Sequence, residues 1–373
     1  MASSPALKPA IDTDRRPFVL IWETTQACEL ACEHCRADAQ ESRHPEELST
    51  AEAKSLLDDA RDFSDGQLVV LSGGDPLIRP DVTELVSYGA DVGLRMTMTP
   101  SGTSSLSSDR ITALSEAGLR RMALSIDGGS ARSHDAFRGE KGSFEDTIAA
   151  ATEAREIGLP LQINTTVCAA TVDELPKIRG LVADLDAVLW SVFFLVPVGR
   201  GRVLEPISPG RAERVMEWLY RTQRDASFGI KTTEAPHYRR VALQQRTGAT
   251  QASDRPTDTD DSIGRRVGIT AGDGFAFVSH TGELYPSGFL PKSAGNVREG
   301  DLVDLYRTSQ LFESLRDKDQ LTGPCGVCEY RNVCGGSRSR AYAETGDPMA
   351  SDPLCAYVPD GYEDDSTDAV SVE

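Results

Sequence analysis

The chain of 373 residues, 39% of them hydrophobic, is long enough for one large domain and a smaller appended one. Its 58 acidic against 39 basic residues leave a formal charge of -19, which excludes the basic surface that a nucleic-acid partner demands. No apolar run reaches the roughly 18 residues of a membrane span and the opening segment lacks the apolar stretch of a secretory signal, so a cytoplasmic protein is expected.

From about Phe18 short apolar runs (FVLIW, QLVVLSG, LRMTMTP, LRRMALSIDG, LPLQINTTV, AVLWSVFFLVP) alternate with longer amphipathic ones such as TAEAKSLLDDARDF and SFEDTIAAATEAREIG. The rhythm predicts an α/β fold of about six βα units, a partial (β/α)6 TIM-like barrel with reactive loops at the C-terminal ends of its strands. The barrel is expected over residues 17–205, after a disordered segment at 1–16. Residues 206–266 read as a linker, with a helix near Pro209 to Arg224 and then a flexible loop rich in Thr, Asp and Ser from Thr247 to Arg265. A second unit over 267–358 opens with a hairpin signal in FAFVS and GELYPSG, and the acidic stretch 359–373 is expected to be disordered. Arg predominates over Lys and acidic pairs are scattered, a surface suited to a high-salt, halophilic cytoplasm.

Seven of the eight cysteines fall into two tight groups, which favours metal binding over disulfides. Cys168, in the apolar setting INTTVCAA, reads as a buried, inert thiol. Cys28, Cys32 and Cys35 form CxxxCxxC directly after the first strand. Three thiolates hold three irons of a [4Fe–4S] cube and leave the fourth open to a substrate or cofactor. The alternative is a zinc site completed by His34 or a distant residue. Cys325, Cys328, Cys334 and Cys355 supply four thiolates, enough to close a cube suited to electron transfer or, alternatively, a tetrahedral zinc site.

CxxxCxxC after the first strand of such a barrel resembles the signature of the radical S-adenosylmethionine (SAM) superfamily. That resemblance implies a SAM-cleaving [4Fe–4S] cluster whose open iron chelates SAM and whose electron releases a 5′-deoxyadenosyl radical. Ser72-Gly73-Gly74-Asp75-Pro76 resembles the family's GGE motif, which meets the SAM amino group, with Asp75 in place of the commoner Glu. Ser125-Ile126-Asp127-Gly128 resembles its SIDG segment, which places Ser125 by the SAM carboxylate or ribose. The same resemblance gives Arg138 the SAM carboxylate and Asn164 the ribose hydroxyls. Taken singly, each of these also fits an ordinary turn, a helix N-cap or a strand Asn satisfying backbone groups.

The segment PCGVCEYRNVCGGSRSRAYAETGDP…DPLC resembles the SPASM/Twitch extension of the same superfamily. The full SPASM pattern carries seven cysteines for two auxiliary clusters, whereas here Ser287 and Ser337 stand in its cysteine-bearing stretches, implying one auxiliary [4Fe–4S] cluster. The phrasing is most similar to haem-biosynthesis members such as Fe-coproporphyrin decarboxylase, and more distantly to the pyrroloquinoline quinone peptide-crosslinking enzyme. That similarity implies oxidative modification, such as decarboxylation, of a tetrapyrrole, with electrons from a ferredoxin or flavodoxin. Arg200, Arg202 and Arg239 are cations for clamping propionates, or else ordinary surface residues. Two other readings are radical crosslinking of a ribosomal peptide and a non-catalytic iron–sulfur electron carrier; the three-cysteine site argues against the carrier.

Overall fold

The computed structural model describes residues 11–248 and 269–362. Residues 1–10, nearly all of the Thr/Asp-rich loop and the tail from residue 363 lie outside the described residues, and with them most of the disorder expected there. Residues 12–16, grouped with the disordered start by their polarity, form a turn: Tyr306 donates to the Thr13 carbonyl at 2.7 Å and Thr13 to Asp273 at 2.7 Å.

Seven parallel strands run in chain order: β1 (Val19–Thr25), β2 (Leu68–Gly73), β3 (Arg95–Met98), β4 (Arg121–Ser125), β5 (Leu161–Val167), β6 (Leu189–Phe194) and β7 (Gly229–Thr233). Helices α1 (Thr50–Phe63), α2 (Val82–Asp91), α3 (Ser108–Glu116), α4 (Ala131–Arg138), α5 (Ser143–Glu156), α6 (Leu175–Asp184), α7 (Pro209–Asp225) and α8 (Tyr238–Gly248) alternate with them. The first helix shows why. Ser49 and Glu52 cap it reciprocally, and Ala53, Leu56, Leu57, Ala60 and Phe63 bury one face at helical spacing. Replacing fully buried Leu57 by Ala removes contacts worth about 2–5 kcal/mol.

Strand pleating sorts the side chains. Trp22, Leu71, Leu124, Ile163 and Trp190 join the helix-covered core, so the alternate residues Glu23, Ser72, Ser125, Asn164 and Ser191 share the concave face. Register places Ser125 beside Asn164 and Asn164 beside Ser191. The open half-barrel is the expected α/β fold, with one strand more than six units provide. β7 continues the alternation through the stretch expected to be only a linker; GIKTT is too short and polar to announce itself.

The C-terminal unit contributes β8 (Thr270–Ala271), β9 (Gly274–Val278), β10 (Leu284–Tyr285) and helices α9 (Leu302–Thr308), α10 (Gln310–Arg316), α11 (Gly323–Val327) and α12 (Arg338–Thr345). β9 and β10 form the expected hairpin. The unit is not a separate sheet, however: β9 pairs in parallel with β1, Val19 opposite Phe275 and Trp22 opposite Val278, so the strand order is β10-β9-β1 through to β7. Among the described residues no helix is long and apolar enough to cross a membrane.

Candidate functional site

Cys28, Cys32 and Cys35 lie on the loop leaving β1. Its base is closed by Cys28 N–H donating to the Gln40 carbonyl (2.8 Å) and Gln40 N–H to that of Gln26 (3.0 Å). Arg200 splints the loop from across the barrel. Its backbone amide donates to the Cys35 carbonyl (2.9 Å), its Nε to Cys32 (3.0 Å) and its Nη1 to Ala39 (3.2 Å). Gly199 makes that approach possible, with φ of 54° and space that a Cβ would overfill at 2.5 Å from the Cys35 carbonyl oxygen. Arg200, read from the sequence as a clamping cation or else an ordinary surface residue, has most of its donors committed to the cysteine loop; Arg202 is exposed and Arg239 half-buried. Burial pushes the Cys28 and Cys32 thiols above the usual range, with Arg138 opposing at both. Ionising them takes a positive partner, as a metal provides.

The double glycine after β2 packs against the approach to that loop. A Cβ on Gly73 would stand 2.2 Å from the Thr25 carbonyl oxygen, and one on Gly74 2.2 Å from that of Ala27. Asp75, which follows, is fully buried. Its backbone donates to the Ala27 carbonyl (2.7 Å) and its Oδ1 accepts from Leu77 N (3.0 Å) and Ser101 N (3.4 Å). Its Oδ2 has no partner among the described residues, and burial raises its carboxyl to about 6. Ser101 ties this carboxylate to the cysteines, its Oγ lying 3.4 Å from Cys28 Sγ; no motif announced it.

Asp127 spends both oxygens inside the protein. Oδ1 accepts from Thr166 N (2.7 Å) and Oδ2 faces Arg138 Nη1 at 3.3 Å. Burial works against its ionisation, yet the neighbouring groups hold it below the usual carboxylate range. Since burial pushes His34 to about 4 and so keeps it neutral near pH 7, Arg138 is the partner that counts. His34 stacks on Phe137, ring centroids 4.7 Å apart. Among the described residues Arg138, 7% exposed, leaves its Nε without a partner. Asp75 Oδ2 and Arg138 Nε are thus an unsatisfied acceptor and an unsatisfied donor beside one cysteine loop, complementary to an ammonium and a carboxylate on one ligand. Asn164, 9% exposed, accepts from Gln162 Nε2 at 2.7 Å on the concave face, next to half-buried Ser125.

Cys325, Cys328, Cys334 and Cys355 all line one cavity of about 220 Å³. Burial raises the Cys328, Cys334 and Cys355 thiols, Cys355 to about 11. Gly335 and Gly336 both take left-handed φ (67° and 65°), which lets the chain turn tightly past Cys334 while the Gly336 amide points to its sulfur at 3.4 Å. Among the described residues no three His, Cys, Asp or Glu side chains converge as ligands of a single ion; the four thiols stand around a chamber instead. Asp352 forms part of its wall and Cys168, the remaining cysteine, is fully buried elsewhere.

Two side-chain clusters fasten this chamber to the barrel mouth. Arg340, 3% exposed, grips Asp352 with Nη1 (3.0 and 3.1 Å) and donates to the carbonyls of Leu195 (3.0 Å), Phe194 (3.2 Å) and Glu234 (2.7 Å) at the ends of β6 and β7. Glu234, a non-glycine residue at φ 55°, accepts from the hydroxyls of Ser287, Ser337 and Ser339. Ser287 thereby ties the chain after β10, and Ser337 the start of α12, to the end of β7 across the seam of the half-barrel.

The profile of the radical SAM superfamily matches residues 22–179. The chain is 41% identical over 343 residues to the AdoMet-dependent heme synthase of Methanosarcina barkeri, covering 92% of this chain and 97% of that protein. It is 30% identical to the PqqA peptide cyclase of Rhizobium meliloti, covering 92% and 88%. The crystal structure of Streptococcus suis SuiB bound to S-adenosylmethionine shares the fold, with a TM-score of 0.71 and 18% identity over 92% of this chain and 78% of that one.

Proposed function

Because this chain belongs to the radical SAM superfamily, we propose that it is a SAM-cleaving enzyme that oxidatively decarboxylates propionate side chains of an iron-bearing tetrapyrrole. Cys28, Cys32 and Cys35 hold the SAM-binding [4Fe–4S] cluster; Asp75 Oδ2 takes the SAM ammonium and Arg138 its carboxylate. Gly73 and Gly74 set the backbone that brings Asp75 to the cysteine loop, while Ser125 and Asn164 face the ribose from the concave side. Asp127 contributes by holding Arg138. The unsatisfied Asp75 and Arg138 atoms fit a zwitterionic ligand, and the cysteine-lined chamber fits a second, auxiliary cluster held by Cys325, Cys328, Cys334 and Cys355. When bound, these groups supply the adenosyl radical at the first site and an electron acceptor at the second.

The substrate chemistry closes on that pair of functions. Removal of one hydrogen atom from a propionate, followed by loss of CO2, leaves a vinyl group and one electron that must depart. The observation that carries this reading is the 41% identity to a heme synthase over 92% of the chain. A ferredoxin or flavodoxin donor and a high-salt cytoplasm complete the picture; the charge of -19 supports the latter. In domain terms, residues 17–205 with β7 and its flanking helices form the barrel and 267–358 the SPASM/Twitch unit. Peptide crosslinking remains the second reading, supported by the likeness to a PqqA peptide cyclase. The test is anaerobic reconstitution with about eight irons per chain, then incubation with SAM, reductant and iron-coproporphyrin III. Loss of CO2 together with two hydrogens from each converted propionate is expected; SAM cleavage with an unaltered porphyrin would overturn the tetrapyrrole reading.

A further inference from the structure

The cysteine chamber has a wall that belongs to neither cysteine segment. Arg240, on α8, is 2% exposed and lines the cavity. Its Nη1 and Nη2 are taken by Glu213 on α7, both at 2.6 Å, and Nη1 also meets Gln244 at 2.8 Å. The guanidinium lies over the Tyr357 ring, 4.8 Å from its centroid. These contacts lock its orientation, yet Nε–H, buried, has no acceptor among the described residues. A buried donor left without a partner is costly, and this one belongs to a side chain on the wall of the four-cysteine chamber. Asp352 supplies the opposite charge on the same wall, locked by Arg340, Ser337 N (2.7 Å) and Leu354 N (3.0 Å).

We propose that Arg240 is a positioning residue of the C-terminal cluster: its Nε–H donates to a cluster or cysteinyl sulfur and, against the carboxylate of Asp352, sets the reduction potential of that cluster. The inference rests on the chamber holding a [4Fe–4S] cluster. A hydrogen bond to sulfur and a nearby positive charge both stabilise the reduced, more negative cluster, so they raise the potential; a nearby carboxylate lowers it. Tuning of this kind places the acceptor at a potential suited to an electron arriving from the barrel mouth, to which Arg340 and Asp352 fasten the chamber.

The test is an EPR-monitored redox titration in the Cys28→Ala chain, where only the C-terminal cysteines hold iron, about four per chain. Arg240→Gln shifts the midpoint to more negative potential, and Asp352→Asn shifts it to more positive potential. Arg240→Lys, which keeps a cation for Glu213 and protects folding, deletes Nε–H and shifts in the same direction as Arg240→Gln by less. Iron-loaded Arg240 variants that titrate at the parent potential, or Arg240→Gln and Asp352→Asn shifts of one sign, would overturn the inference alone. A Cys28→Ala parent that binds no iron would remove the chamber reading and the inference together.

Discussion

The two cysteine sites differ in what surrounds them. The N-terminal three sit on one loop of the barrel, beside a carboxylate oxygen and a guanidinium nitrogen that the protein leaves unsatisfied. The C-terminal four wall a chamber whose Asp352 is fully hydrogen-bonded and whose Arg240 offers a single donor. The first arrangement offers polar atoms that a zwitterionic ligand would satisfy; the second lines a cavity of about 220 Å³ with four thiols. Cysteine number and the polarity of the wall thus vary together, and the proposed function gives the first site the reaction and the second the holding of charge.

Breaking each site separately sharpens that contrast. Cys28→Ala is expected to abolish 5′-deoxyadenosine formation and to remove about four of about eight irons, leaving the other cluster's EPR signal. Cys334→Ala removes a similar amount of iron but spares 5′-deoxyadenosine, and product formation is lost; equal loss of SAM cleavage in both variants would erase the distinction. Gly74→Ala drives a Cβ into backbone at 2.2 Å and costs about 1–3 kcal/mol, read as a lower melting temperature and weaker SAM binding. With Asp75 raised to about 6 by burial, its protonation as pH falls through that value removes the ammonium partner, so SAM affinity drops below pH 6. Asp75→Asn flattens this profile, as titration calorimetry would show. The linked stability runs the other way: the unliganded fold loses stability from this carboxyl as pH rises from 3.8 through about 6, because the folded state binds the proton more tightly. The smallest effect belongs to Ser287→Ala, which removes one bond to Glu234 at the seam and costs about 1 kcal/mol.

Sequence pattern carried the barrel because its strands alternate with amphipathic helices at lengths that only parallel βα units satisfy; TAEAKSLLDDARDF is helix α1 residue for residue. β7 escaped, since GIKTT presents one large apolar residue, and so did the pairing of β9 with β1, which no local pattern encodes. At the sites, cysteine spacing and the SGGDP segment led to residues that the fold brings together. The role of Arg200 was not legible, because charge and proximity to β6 are visible in sequence while the carbonyls it grips are not. Ser101 and Arg240 carry no motif, and Arg340 lies in the SPASM-like segment without being singled out there; each matters through contacts with residues well removed in sequence.

The pairing of β9 with β1 also bears on how the protein is made. About 250 residues of chain separate the partners, a long loop to close. A ribosome that has delivered β7 has released every strand of the half-barrel, yet β1, the strand that leads into the first cysteine loop, still presents a bare edge to any passing strand. The last part of the chain to emerge thus shields the first, and a nascent or truncated polypeptide lacking it is expected to aggregate through β1 before its first cysteine loop can be loaded.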